Sequence, residues 1–445
     1  MRNGEVGSVT AALGQGSCRG GVDNRPMHPN ALLELETDLL HHVLRFEAPA
    51  DSVVSDFFRH HRLIGSRERH TLAETTYNVL RQRLLFQHLA QSGKGEMERR
   101  LALLGWQGNA AFLRAALAPG EVEWLEQVQA VDVASLPEKL RHNLPEWLAE
   151  RLQAELGAEF WPLVNALNQP AGMDLRVNTF KAKREEVQAA LTLAGIHAVA
   201  TPYSPVGLRL AAKAALHKVD VFLRGDIEVQ DEGSQLLALL TGARRGEMVA
   251  DFCAGAGGKT LALGAMMRNT GRLYAFDVSG HRLAALKPRL ARSGLSNVYP
   301  VQIAHERDDR IKRLAGKIDR VLVDAPCSGL GTLRRNPDMK WRQSPESVQQ
   351  MSVKQAAILA SAARLLKPGG RLVYATCSLL QAENEVIARV FSADHAESFR
   401  VLPVAEALQR AQVAEAETLV DGDYLRLWPH RHGTDGFFAA AWERI

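Results

Sequence analysis

Apolar side chains change their spacing twice along the chain. Up to about residue 156 they recur every three to four positions, as at Leu32, Leu33, Leu39, Leu40, Val43 and Leu44. That spacing lines one face of an α-helix and predicts a helical segment. From about residue 161 to 225 the texture is mixed. Leu175-Arg-Val-Asn178 and Gly207-Leu-Arg-Leu210 read as strands, and 183–193 reads as a helix. Beyond about residue 229, short unbroken apolar runs alternate with helical stretches, which predicts βαβ units and a mostly parallel sheet. The expected strands are 248–252, 273–277, 298–303, 320–324 and 371–376, with a late one at 437–442. Ser344-Pro-Glu346 is expected to start a helix in N-cap fashion. Its core positions are Val348, Met351, Ile358, Leu359, Leu365 and Leu366, and Lys367-Pro-Gly-Gly370 is expected to stop it.

These shifts divide the 445 residues into a leader at 1–26, a helical domain at 27–155, a small α+β connector at 156–228 and an α/β domain at 229–445. The leader is rich in Gly, Ser, Asn and Arg and reads as disordered, or as an over-extended start ahead of Met27. With 46% hydrophobic and 23% charged residues the rest can build full cores. The longest apolar runs fall short of a membrane span, and the N-terminus lacks the apolar stretch of a secretory signal. Four cysteines (18, 253, 327, 377), none in metal-like pairs, point to a reducing cytoplasm without disulfides or metal. Cys18 in the leader is expected to be inert. The net charge of +4 leans mildly towards polyanions. Arg59, His60, His61, Arg62, Arg67, Arg69, Arg81 and Arg83 form either a solvated helix face or a phosphate-contacting surface.

The chemistry concentrates at strand ends. Residues 248–260 read as a strand, the glycine-rich turn Cys253-Ala254-Gly255-Ala256-Gly257-Gly258-Lys259, and a helix start. Glycines there let a backbone approach a ligand closely. About twenty residues on, the next strand ends in Asp277, placed to accept hydrogen bonds from a ribose. Cys253 stands where a P-loop needs glycine, and the spacing after Gly257 breaks the dinucleotide pattern. S-adenosylmethionine, which carries no phosphate, fits best. Cys253 itself reads as a small hydrophobe whose backbone lines the loop. Two more cysteines end apolar runs, in Val-Leu-Val-Asp-Ala-Pro-Cys-Ser (321–328) and Leu-Val-Tyr-Ala-Thr-Cys-Ser (372–378). Both thiols should emerge at the carboxyl edge of the sheet, where open α/β folds bind ligands.

The turn at 253–259, Asp324-Ala-Pro-Cys-Ser-Gly329, Arg334-Arg-Asn-Pro-Asp-Met-Lys-Trp341 and Tyr374-Ala-Thr-Cys-Ser378 together resemble the RNA (cytosine-5) methyltransferases of the Nop/Sun/Fmu group, nearest the bacterial small-subunit rRNA type. Leu175-Arg-Val-Asn178, Gln230-Asp231 and Asp435-Gly-Phe-Phe438 extend the likeness. The resemblance implies a Rossmann-like class I S-adenosylmethionine-dependent methyltransferase domain, preceded by the α+β connector and an all-α NusB-like domain. It implies a monomeric cytoplasmic enzyme acting on structured RNA. By the same likeness Cys377 adds to C6 of the cytosine, Asp324 holds the N3/N4 edge, and Cys327 assists elimination. Lys259, beside them, is expected to favour thiolate. Arg334, Arg335 and Lys340 are expected to meet RNA phosphates, and Trp341 to stack on a base or anchor its loop.

The family's usual Ala-Pro-Gly-Gly-Lys is here Gly255-Ala256-Gly257-Gly258-Lys259, and the acid expected to meet adenine falls on His305, with Glu306, Asp308 and Asp309 as neighbours able to substitute. Two other readings stay open: the same chemistry on transfer RNA or another rRNA site, and a non-catalytic RNA-binding assembly factor.

Overall fold

The computed structural model describes residues 27–445; the leader and Cys18 lie outside them. The first helix, Pro29–Val43, buries Leu32, Leu33, Leu39, Leu40 and Val43 on one face, as the spacing requires. Helices continue past residue 155, ending with Phe160–Leu167. A four-stranded antiparallel sheet follows, made of β1 (Met173–Val177), β2 (Ala198–Ala200), β3 (Gly207–Leu210) and β4 (Ile227–Val229), in the order β2-β3-β1-β4. Helix Arg184–Leu193 packs Val187 and Leu191 onto Leu175, Val177, Leu208 and Ile227. Strands β2 and β4, three residues each, were too short to show a period.

The main sheet holds β5 (Met248–Asp251), β6 (Arg272–Asp277), β7 (Val298–Gln302), β8 (Ile318–Asp324), β9 (Leu366–Thr376), β10 (Phe399–Val401), β11 (Val420–Asp421), β12 (Tyr424–Leu427) and β13 (Phe437–Arg444). Its order is β11-β12-β13-β9-β8-β5-β6-β7, with β10 paired to β13. Strands β5 to β9 run parallel and β13 runs antiparallel to β9. Neighbouring residues of one strand enter two different cores: Leu322 and Val373 pack on one face, Val321, Val323, Leu372 and Tyr374 on the other. Both faces are covered, which is why the strands read as unbroken apolar runs.

The helix after β8 begins as expected, with the Ser344 hydroxyl accepting from Ser347 N at 3.2 Å. Its end differs. The helix stops at Ala363, Leu365 lies in the turn, and Leu366 already opens β9. Lys367-Pro-Gly-Gly370 therefore does not stop the helix but bulges within β9, where the register against β8 shifts between Ile318 and Arg320. Gly369, at φ 75°, supplies the left-handed residue such a bulge needs.

Strand order reverses between β5 and β8, so the crevice at their carboxyl ends is where an open α/β sheet takes its ligand. The loops after β8 and β9 do not hang free. Leu330 and Leu333, then Leu379 and Leu380, join Leu148, Leu152, Phe160, Leu163 and Leu167 of the last helical segment in one buried cluster. The helical part thus seats the two loops that carry Cys327 and Cys377.

Candidate active site

After β5 the chain turns through Phe252–Gly257 with its backbone pinned to the sheet. Ala254 N donates to Phe276 O and Gly255 N to Asp277 Oδ2, each at 2.8 Å. Asp277 also accepts from Ser279 N at 2.7 Å, which leaves lone pairs for a further donor. Gly257 sits at φ 85°, and a Cβ there would lie 2.1 Å from Leu286 Cδ1. The left-handed φ favours glycine at this start of helix Gly258–Met266, and the bare backbone lets Leu286 of helix Gly280–Ser293 pack against the turn. Arg289 braces the loop from outside, donating to Ala256 O at 2.7 Å while paired with Glu228 of β4.

Two buried acceptors near the crevice lack a partner among the described residues, Asp251 Oδ1 and Gln230 Oε1. Open glycine backbone, an acid with spare lone pairs and orphaned acceptors suit a cationic amino-acid sulfonium such as S-adenosylmethionine. Burial pushes Asp251 up to about 7, with its Thr260 hydrogen bond working the other way. A folded-state pKa above the unfolded one means the folded chain holds more protons, so this carboxyl lowers stability as pH rises from about 4 through 7. Asp251→Asn is expected to flatten that slope, read as urea midpoints at about pH 5 and pH 8.

The thiols meet. Cys327 Sγ and Cys377 Sγ lie 3.4 Å apart at the carboxyl ends of β8 and β9. The hydrogen bond to Cys377, then burial, raise the pKa of the Cys327 thiol well above its ordinary value. Beside them Lys259 Nζ donates to Asp324 Oδ2 at 2.7 Å. Burial opposes the ammonium, but Asp324 and then Cys377 outweigh it, and its pKa is raised. Lys259 is therefore a fixed positive charge next to the thiol pair. Cys253 does not join them: its side chain packs on the apolar core, and burial raises its pKa well above the usual value.

Gly331 N donates to Cys377 O, and Gly331 O accepts from Gly436 N, both at 2.8 Å, tying the two cysteine loops to the approach to β13. A Cβ on Gly331 would fall 2.1 Å from Gly436 O and 2.8 Å from Cys377 O. Gly331→Ala is expected to lower unfolding free energy by about 1–3 kcal/mol, measured by urea denaturation.

His305 follows β7, is exposed, and accepts from Arg307 N at 3.1 Å. Asp308 is spent on Ala304 N and Arg310 N as a helix cap. The basic loop departs from expectation. Lys340 is 2% exposed and donates to Arg81 O at 2.9 Å, and burial lowers its pKa well below normal. Arg335 is held by Asp435 at 2.6 Å and Asp231 at 2.9 Å, and Arg334 by the carbonyls of Gly433 and Thr434. Trp341 donates to Leu80 O at 2.9 Å. Instead of standing free for phosphates, the loop closes a three-way junction of helical, connector and α/β parts, with the Lys340 ammonium buried and the Arg335 guanidinium part-exposed between two carboxylates. Exposed basic residues lie elsewhere, at Arg59, Arg62 and Arg67 of the helical domain, with His60 exposed beside them.

One group escaped the sequence reading. Glu383, fully buried, accepts from both Ser328 and Ser378, the serines that follow the two cysteines. Its signal was the repeated Cys-Ser pair, to which no role was given.

A parallel sheet of order β7-β6-β5-β8-β9 closed by antiparallel β13, with a glycine turn and thiols at its switch point, defines a Rossmann-like methyltransferase domain behind a NusB-like helical region. The 16S rRNA methyltransferase RsmB/F family profile matches residues 238–443, and the ferredoxin-like domain of RsmF/B-like methyltransferases matches 144–217. The probable ribosomal RNA small subunit methyltransferase B of Synechocystis is 36% identical over 302 residues, 67% of this chain and 66% of that protein. The Bacillus subtilis counterpart is 30% identical over 338 residues, 75% of this chain and 74% of that protein. The chain belongs to the RsmB/F family of 16S rRNA methyltransferases, which bears out the Nop/Sun/Fmu resemblance. Among solved structures, PH0851 superposes with a TM-score of 0.75 at 28% identity, covering 94% of this chain and 99% of that one. A methyltransferase homolog protein from Pyrococcus horikoshii gives 0.59 at 28% identity, covering 71% and 100%. Among the described residues no helix is long and apolar enough to cross a membrane, and no cluster of three or more His, Cys, Asp or Glu is placed to hold a metal.

Proposed function

We propose that this chain methylates C5 of a cytidine in small-subunit rRNA, using S-adenosylmethionine and a covalent bond between Cys377 and C6. The observation that carries the reading is the thiol pair, 3.4 Å apart beside the Lys259–Asp324 ion pair. A cytosine ring is too poor a nucleophile at C5 to take a methyl group unaided. Addition of a thiolate at C6 converts C5 into an enamine carbon. Lys259 favours that thiolate on Cys377 by charge. Asp324, its side chain 29% exposed, would hold the N3/N4 edge as the ring gains charge. S-adenosylmethionine supplies the electrophilic methyl group when bound, and the loop 253–259, Asp251 and Asp277 would hold it. Transfer of the C5 proton to water then breaks the C6–sulfur bond, restores the aromatic ring and releases Cys377 as a thiolate, with Cys327 the thiol nearest the leaving sulfur and able to hydrogen-bond it. The target base must leave its stack to reach a half-buried thiol. The exposed cations at Arg59, Arg62 and Arg67 offer the helical domain to phosphates.

The test is methyl transfer from labelled S-adenosylmethionine to purified small-subunit rRNA and to small subunits, with bisulfite sequencing of the product. One protected cytidine in rRNA is expected. Labelling of transfer RNA alone would remove the substrate assignment, and labelling of a base other than cytosine would remove the chemistry.

A further inference from the structure

Glu383 lies six residues after Cys377, on the short turn Gln381–Glu383. Its carboxylate is 0% exposed, yet the four donors it takes are all uncharged. Ser328 gives its backbone N–H to Oε1 at 2.8 Å and its hydroxyl to Oε2 at 2.5 Å. Ser378 gives its hydroxyl to Oε2, and Gln355 gives Nε2–H to Oε1 at 3.0 Å. The two serine oxygens are drawn to 3.1 Å of each other. Gln355 also donates to Pro326 O, just ahead of Cys327, and Tyr374 Oη donates to Glu383 O at 2.6 Å. A scaffold could close the same loops with apolar side chains, since a buried charge without a counter-ion is a costly way to fill space.

We propose that Glu383 is a positioning residue that sets the two cysteines into different roles: it joins the serines beside them, fixing the approach of the thiols, and lays a negative charge against the Cys327 loop. This rests on the reading that Cys377 attacks and Cys327 assists. The other charged and titratable groups around the pair are Lys259 from helix Gly258–Met266, Asp324 ending β8, Asp251 ending β5, Cys253 in the turn after it, Tyr374 on β9, and Arg426 on β12 with its partner Glu385. Arg426 grips the Leu379 carbonyl at 2.6 Å, on the Cys377 side. Glu383 thus accepts two hydrogen bonds from the residue after Cys327 and one from the residue after Cys377, while Lys259 interacts with Cys377. Glu383 adds to the hydrogen bond and burial that raise the Cys327 pKa. Cys327 stays a thiol able to donate to Cys377, which leaves attack on the base to Cys377.

The test needs no RNA. Initial rates of iodoacetamide alkylation at Cys327 and Cys377 are followed in the full-length protein by peptide mass spectrometry, across about pH 6 to 10. In the wild type Cys377 is expected to react first and to reach its plateau at lower pH. Glu383→Gln is expected to cut the ratio of Cys377 to Cys327 rates by about tenfold, the effect of one pKa unit. Glu383→Asp is expected to recover part of it. If Glu383→Gln fails to fold, Ser328→Ala and Ser378→Ala carry the test, each expected to narrow the ratio with the thermal midpoint and S-adenosylhomocysteine binding retained. A folded Glu383→Gln, Ser328→Ala or Ser378→Ala protein with an unchanged ratio overturns the proposal, as does a wild type whose thiols react alike. A wild type that shows the ratio but methylates no RNA would instead refute the function proposed above.

Discussion

Cys327→Ala is expected to trap the protein on its RNA as an adduct that survives denaturing electrophoresis, while Cys377→Ala abolishes adduct and methylation together. The division follows from position. Both thiols reach the same edge of the sheet and lie 3.4 Å apart, so either could reach one cytosine ring. Lys259 interacts with Cys377, whereas the Cys327 thiol is disfavoured as an anion. Removing the nucleophile should cut kcat by at least about 10⁴-fold, as for other covalent catalysts. Removing the partner leaves addition possible and stalls the release that follows. Equal loss of adduct in the two variants would contradict the division.

The second large effect is expected at Asp324. In Asp324→Asn the carboxylate that Lys259 meets at 2.7 Å is gone, and the amide presents a donor where the base edge needs an acceptor. The rate of methyl transfer should fall by about 10²–10³-fold with the KM for RNA changed only a few-fold, because the lost contact strengthens as the ring gains charge. Lys259, 12% exposed, would be left without its anion, lowering stability by about 1–3 kcal/mol in urea denaturation. The double variant Asp324→Asn with Lys259→Met should be less than additive, since either change alone breaks the pair.

Much of the site was visible in the order of residues because strand ends punctuate so clearly. Apolar runs closed by Asp-Ala-Pro-Cys and Thr-Cys-Ser placed both thiols on one edge, and the strands at β5, β6, β7, β8 and β9 lie within a few residues of expectation. Their burial on two faces made them legible. What was hidden depends on partners far along the chain. Arg335 and Lys340 look like a phosphate-seeking loop, yet Asp231, Asp435 and the Arg81 carbonyl claim them. A local pattern cannot distinguish a cation facing solvent from one facing a distant carboxylate. Leu365 and Leu366 kept the helical spacing although the helix had ended, because a buried turn and a buried strand ask for the same side chains. Against the neighbouring Glu385, nothing in its local sequence sets Glu383 apart. Only the fold shows that two serines fifty positions apart share it.

The central claim, that addition at C6 opens C5 of a cytidine to methylation, has a direct measurement. Small-subunit rRNA carrying tritium at cytosine C5 is incubated with the protein and S-adenosylmethionine. The expected result is one tritium released to water for each methyl group incorporated, and none with Cys377→Ala. Methyl incorporation with the tritium retained would contradict it.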